Sequence, residues 1–170
     1  MKRRYGALGA MAFTVAIAAH AQAATKAQEL DVAWFKDGHQ IVAARQVINS
    51  DEIGPNPLLY SSGEQVPSAR CIGGGNNVKL KGELVFVGRS LFVQPVAVHG
   101  DKARLLVSAM DTTSDGTRQT GPADCRSLVV DVHGLSEKDI SVDISVGQSV
   151  DVPMKDAHYR LVLKLNDASM

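Results

Sequence analysis

Ile140-Ser141-Val142-Asp143-Ile144-Ser145-Val146 carries an apolar side chain at every second position, and Tyr159-Arg160-Leu161-Val162-Leu163-Lys164-Leu165 repeats the pattern. A period of two belongs to a strand with one buried face, because successive side chains of an extended chain point to opposite sides. Gly147-Gln148 supplies turn chemistry between them, and Val150 and Val152 make a short strand that Pro153 ends. This part of the chain reads as antiparallel sheet, with His158 to Leu165 as an edge strand.

The same reading extends toward the N-terminus. Leu30 to Phe35, Gln40 to Ile48, Glu83 to Val98, Ala103 to Met110 and Arg126 to Val132 are rich in Val, Leu and aromatic residues. Lys36-Asp37-Gly38, His99-Gly100-Asp101 and Ser114-Asp115-Gly116 separate them as turns. Glu83 to Val98 must bend or bulge, since Gly88 interrupts it and Pro95 has no N–H for a central ladder. Asn49 to Val66, containing Gly54-Pro55-Asn56-Pro57, reads as the longest irregular connection, a solvated crossover in the favoured reading and a binding loop in the alternative. No stretch shows a capped stripe of period 3.6. Together these features predict an all-β domain, an antiparallel β-sandwich of about seven to nine short strands with a small β-barrel as the alternative.

Residues 1–23 read differently. Lys2, Arg3 and Arg4 form a basic start, Ala7 to Ala19 an uncharged and mostly apolar run, and Ala21 and Ala23 the small-residue pattern of a cleavage site. That order describes a helical signal peptide, and the run is shorter than the roughly 20 apolar residues needed to span a bilayer. The expectation is a periplasmic or secreted protein whose mature part, residues 24–170, is a single domain with no integral membrane segment. Losing three of 18 basic residues leaves 15 against 18 acidic ones. A mature charge near −3, with its cations scattered, gives nucleic acid nothing to bind.

Cys71 and Cys125 are the only cysteines. In an oxidising compartment such a pair forms a disulfide. Closing a loop of this length stabilises the fold by about 4 kcal/mol in the chain-entropy model. The absence of C-x-x-C argues against redox or zinc chemistry.

Catalytic motifs are missing: there is no G-x-S-x-G, H-E-x-x-H, P-loop or S-x-x-K. Gly73-Gly74-Gly75 lacks the helix N-terminus that a phosphate cradle needs. Asp111 to Gly116 lacks the acidic spacing of a calcium loop and reads as a polar turn. The mature histidines, His39, His99, His133 and His158, include no H-x-H pair. No catalytic, cofactor or metal residue is therefore assigned. The favoured expectation is a non-enzymatic accessory or binding module whose partner is another envelope or secreted protein, met by protein–protein contact or strand addition. Two alternatives are a small hydrolase, requiring two or more histidines to converge with an acid or serine in one pocket, and a copper carrier using Met154 and His158.

Overall fold

The computed structural model describes residues 27–49, 56–74 and 77–168, so the signal segment with Ala21 and Ala23 lies outside the described residues. Among the described residues every regular element is a strand: β1 (Ala27–Lys36), β2 (His39–Asn49), β3 (Leu58–Ile72), β4 (Lys79–His99), β5 (Lys102–Thr120), β6 (Ser127–Ser145), β7 (Ser149–Val152) and β8 (Tyr159–Asp167). They form two antiparallel sheets, ordered β2-β1-β8-β7 and β3-β4-β5-β6. The second sheet closes on itself where Ala69 of β3 meets Leu128 of β6.

Several turns form where their chemistry places them. Asp37 and Gly38 both adopt positive φ, 51° and 79°, the primed geometry that suits a two-residue hairpin. Gly147 turns the chain at φ 80°, and β7 stops before Pro153. Pro95 lies on a stretch of β4 beyond the end of β3, with a register shift between Pro95 and Ala97. A missing N–H costs nothing to a ladder that has no strand on that side.

Four expectations are corrected. β8 is no edge strand: it pairs along its whole length with β1 and over four residues with β7. The segment expected as irregular up to Val66 becomes strand from Leu58, in 15 consecutive pairs with β4. Ser114 to Gly116 is a bulge within β5 rather than a hairpin turn, and β6 runs unbroken through the gap expected between Val132 and Ile140. In β3, β5 and β6 a polar or glycine-bearing stretch is held extended by its neighbours, against its local preference.

Of 23 buried apolar residues among those described, 21 form one cluster to which both sheets contribute. Trp34, Leu161, Leu163 and Leu165 come from the first sheet, and Leu91, Val93, Leu105 and Ile144 from the second. The two outside the cluster, Val87 and Val130, belong to the far part of the second sheet. The core thus occupies one portion of β3–β6, called here the body. The remainder, including Gln65–Ile72, Lys79–Val87, Thr117–Thr120 and Ser127–Val132, forms a distal unit closed at the β3–β6 seam.

Body and distal unit meet at a line of small residues. Gly63 lies opposite Gly88, Thr112 bonds to the N–H and C=O of Gly88 through Oγ1, and Gly134 lies opposite Thr112. A Cβ on Gly88 would sit 2.5 Å from both Gly63 Cα and Ser62 O, and one on Gly134 would sit 2.3 Å from Asp111 O. Both glycines also hold positive φ, 140° and 122°. Steric and conformational demands thus coincide. We expect Gly88→Ala to lower unfolding free energy by about 3 kcal/mol. Gly100→Ala, at φ 60° with open space around its Cβ position, should cost only about 1 kcal/mol. Paired urea titrations measure the difference, and equal losses would refute the steric account.

Candidate interaction surface and polar clusters

The unbroken β3–β4 register places directly opposed residues on a common face. One face is built from seven pairs running from Leu59/Phe92 to Cys71/Leu80, and no residue on it is charged. All six charged residues of the paired stretch, Glu64, Arg70, Lys79, Lys81, Glu83 and Arg89, lie on the other face. Burial runs the same way, since Leu91 and Val93 on the charged face enter the body core. Leu59, Leu80 and Leu84 on the uncharged face are 70%, 67% and 66% exposed. In the distal unit leucine therefore stands outward on a face without charge, while the charged face carries half-buried Glu83 beside exposed Arg70 and Lys81.

On the charged face half-buried Glu83 draws in two exposed cations. Arg70 and Lys81 approach Glu83 at 3.6 and 3.8 Å. A cavity of about 210 Å³ beside them is lined by Ser68, Arg70, Glu83, Val85, Thr120 and Val130 among others. The opposite wall of the unit is polar outside: Arg118 pairs with Asp131 at 2.7 Å, and Arg126 donates to Gln119 at 3.2 Å. The uncharged outer surface thus belongs to β3 and β4.

So thin an interior needs another restraint. The Cys71–Cys125 disulfide expected from the sequence forms, with the Cα atoms 5.5 Å apart, and Cys71 N–H donates to Ser127 Oγ at 2.9 Å beside it. Bridge and hydrogen bond lie at the β3–β6 seam, where only one residue pair otherwise closes the sheet. The disulfide supplies here what apolar burial supplies in the body.

At the body side of the glycine line, Asp111 ties the sheets together. Its Oδ2 accepts from Lys36 Nζ at 3.0 Å and Tyr159 Oη at 2.9 Å. Arg89 Nε stands 3.2 Å from Oδ1 but off the hydrogen-bond line, and acts there as a charge. Lys36 Nζ also lies 5.1 Å from the centre of the Tyr159 ring, which packs against Trp34. Burial pushes the Asp111 carboxyl up, but the hydrogen bonds from Lys36 and Tyr159 and the Arg89 charge outweigh it, leaving the group below its ordinary value. Tyr159 and Asp111 together hold the Lys36 ammonium above its ordinary value.

The histidines are dispersed. His99 lines a 600 Å³ hollow with Lys102, Arg104 and Asp143, and His158 a separate 460 Å³ hollow with Phe35 and Arg160. His158 Nδ1 lies 2.6 Å from Asp37 Oδ1, and that hydrogen bond, reinforced by charge, raises its pKa. Met154 packs against the body core. The two residues of the copper reading thus have different neighbours, and among the described residues no three His, Cys, Asp or Glu are grouped to hold a metal. Among the described residues, His133 forms the one relay with nucleophile logic. Its Nδ1 is 3.3 Å from Asp115 Oδ2, and its Nε2 is 2.8 Å from Thr113 Oγ1. The side chains of His133 and Asp115 are 58% and 76% exposed, so water reaches the relay freely. Thr113 and His133 face each other across β5 and β6, a pairing that sequence spacing does not reveal.

The Asp111 cluster carries a pH prediction. A carboxyl depressed in the folded state contributes stability that is present above its unfolded pKa and lost as pH falls through the folded one. Asp111→Asn should therefore destabilise the protein at neutral pH, by roughly 2 kcal/mol for a half-screened ionic cluster. It should also flatten the acid limb of the stability curve below about pH 4. Thermal melts of both proteins from neutral to acid pH test this, and parallel curves would remove Asp111 from the acid response.

No helix of the described residues is long and apolar enough to cross a membrane. Comparison with protein-family models, with curated proteins and with solved structures finds no match for this chain, and its function is read from the chemistry above.

Proposed function

We propose that the chain is an exported, non-enzymatic binding module, a β-sandwich with a closed distal extension, that docks another envelope or secreted protein through the uncharged outer face of β3–β4. The segregation of charge on that ribbon carries the reading. Solvent-exposed strands ordinarily alternate polar outward and apolar inward, and an exposed apolar surface of this kind marks an interaction site. The signal pattern of residues 1–23 and the Cys71–Cys125 bridge support an oxidising compartment after cleavage behind Ala23. Face docking replaces strand addition at β8, because that strand has partners on both sides.

Leu80→Glu with Leu84→Glu should abolish capture of the partner in crosslinking from the native envelope. Melting temperature should change by no more than a few degrees, since both side chains are already two-thirds in water. Capture that survives both substitutions rules the face out.

A second reading is a small exported hydrolase working through one histidine, since the converging pair of histidines that the sequence reading required is not formed; the Asp115–His133–Thr113 relay alone supports it. A carboxylate on Nδ1 and a hydroxyl on Nε2 is the connectivity of an activated nucleophile. On this reading the protein cleaves p-nitrophenyl acetate faster than free imidazole does, and Thr113→Ala reduces the rate to that background. An unchanged rate in the variant assigns the relay to cross-strand packing.

A further inference from the structure

Resting on the reading of the β3–β4 face as a docking surface, we propose that in the absence of its partner this face is covered by the same face of a second copy of the chain, in a reversible two-fold dimer. Self-association and partner binding then compete for one surface.

Charge selects the occupant. The mature chain is net acidic, so two copies repel each other over most approaches. Where the faces from Leu59/Phe92 to Cys71/Leu80 meet, neither copy presents a charge. A two-fold contact is isologous, and a patch that meets itself must avoid like charges at every position. This ribbon satisfies that condition along its full length. The cationic residues Arg70, Lys79 and Lys81 point to the other side and stay in water or with Glu83.

The composition of the face separates a protein occupant from a lipid one. Ser61, Ser90, Gly63 and Gly88 follow Leu59 and Phe92 at one end, Gln65 and Phe86 stand at its middle, and Leu84 and Leu80 lie toward the other end. It bears neither tryptophan nor tyrosine, the residues favoured at headgroup level, and the Phe86 ring packed over Gly63 gives its middle the aromatic contact that protein interfaces favour.

Size sets the strength. Fifteen paired residues at about 3.3 Å each make a ribbon about 50 Å long, and two strands with their side chains make it about 10 Å wide. Each copy thus offers about 500 Å² and the pair about 1,000 Å², at the lower margin of specific interfaces. A contact of that area is reversible, as competition by a partner requires.

The test is sedimentation of the mature, disulfide-intact protein from nanomolar to submillimolar concentration. We expect a monomer–dimer equilibrium, with Leu84→Glu weakening it at least tenfold and Lys138→Glu, on exposed β6, leaving it unchanged. Hydrogen exchange of the unaltered protein removes dependence on the variant: protection should rise with concentration in residues 59–71 and 80–92 and nowhere else. A monomer throughout that range overturns the proposal, as does a dimer indifferent to Leu84→Glu or protected elsewhere. Co-sedimentation with phosphatidylglycerol vesicles that Leu84→Glu abolishes, in a protein that stays monomeric, would give the face to lipid. In each of those cases envelope capture by the unaltered chain, and its loss on Leu80→Glu with Leu84→Glu, still decides the docking reading independently.

Discussion

Close backbone approach along the line Gly63–Gly88–Thr112–Gly134 is the constraint on which the two-part architecture depends. On one side of it, β3–β6 share a dry core with the first sheet. On the other they lose that support and close on themselves. A side chain larger than hydrogen at Gly88 or Gly134 would need space already filled by a neighbouring strand. Phe86 passes close over Gly63, so an aromatic ring covers backbone that glycine leaves bare.

Asp111 and the disulfide secure the two sides of that line by different physics. Asp111 gathers Lys36 and Tyr159 from the first sheet and Arg89 from the second, converting a buried carboxylate into a fastening between layers. Its cost of burial is met by three partners, as such groups require. Beyond the line Val87 and Val130 are the buried apolar residues, and a covalent bond with one hydrogen bond holds the seam. The outer surface there is thereby released from the demands of core packing. Leucine stands in water without destabilising a fold that does not rely on hiding it.

What was legible in the sequence follows the same division. β1 and β8 have one face in the core, and their alternation is plain: Leu30, Val32 and Trp34, then Leu161, Leu163 and Leu165. Gly88 and Pro95 announce a disturbance in β4, and both mark one. β3 was illegible, its start at Leu58 falling inside the expected irregular connection, because Ser61 to Gln65 bury little and no apolar period develops. The bulge at Ser114–Thr117 resembles a turn locally and is overridden by pairing with β6. The uncharged face has its signal in the parity of Glu64, Arg70, Lys79, Lys81, Glu83 and Arg89, but parity has meaning only once the register joins β3 to β4. The Asp111 and His133 clusters depend on cross-strand neighbours that spacing along the chain cannot supply.

The first sheet joins β1 to β8 across roughly 130 residues of chain, whereas the second is built from successive hairpins. Ordering so long an intervening segment is entropically demanding and makes the pairing slow. Until β8 is available, β1 and β2 form an isolated hairpin, which is only marginally stable in water. The polypeptide therefore cannot complete its body while residues 159–167 are still being delivered. For a chain delivered from its N-terminus, the order of its strands acts as a timer that delays closure of the body until β8 has emerged.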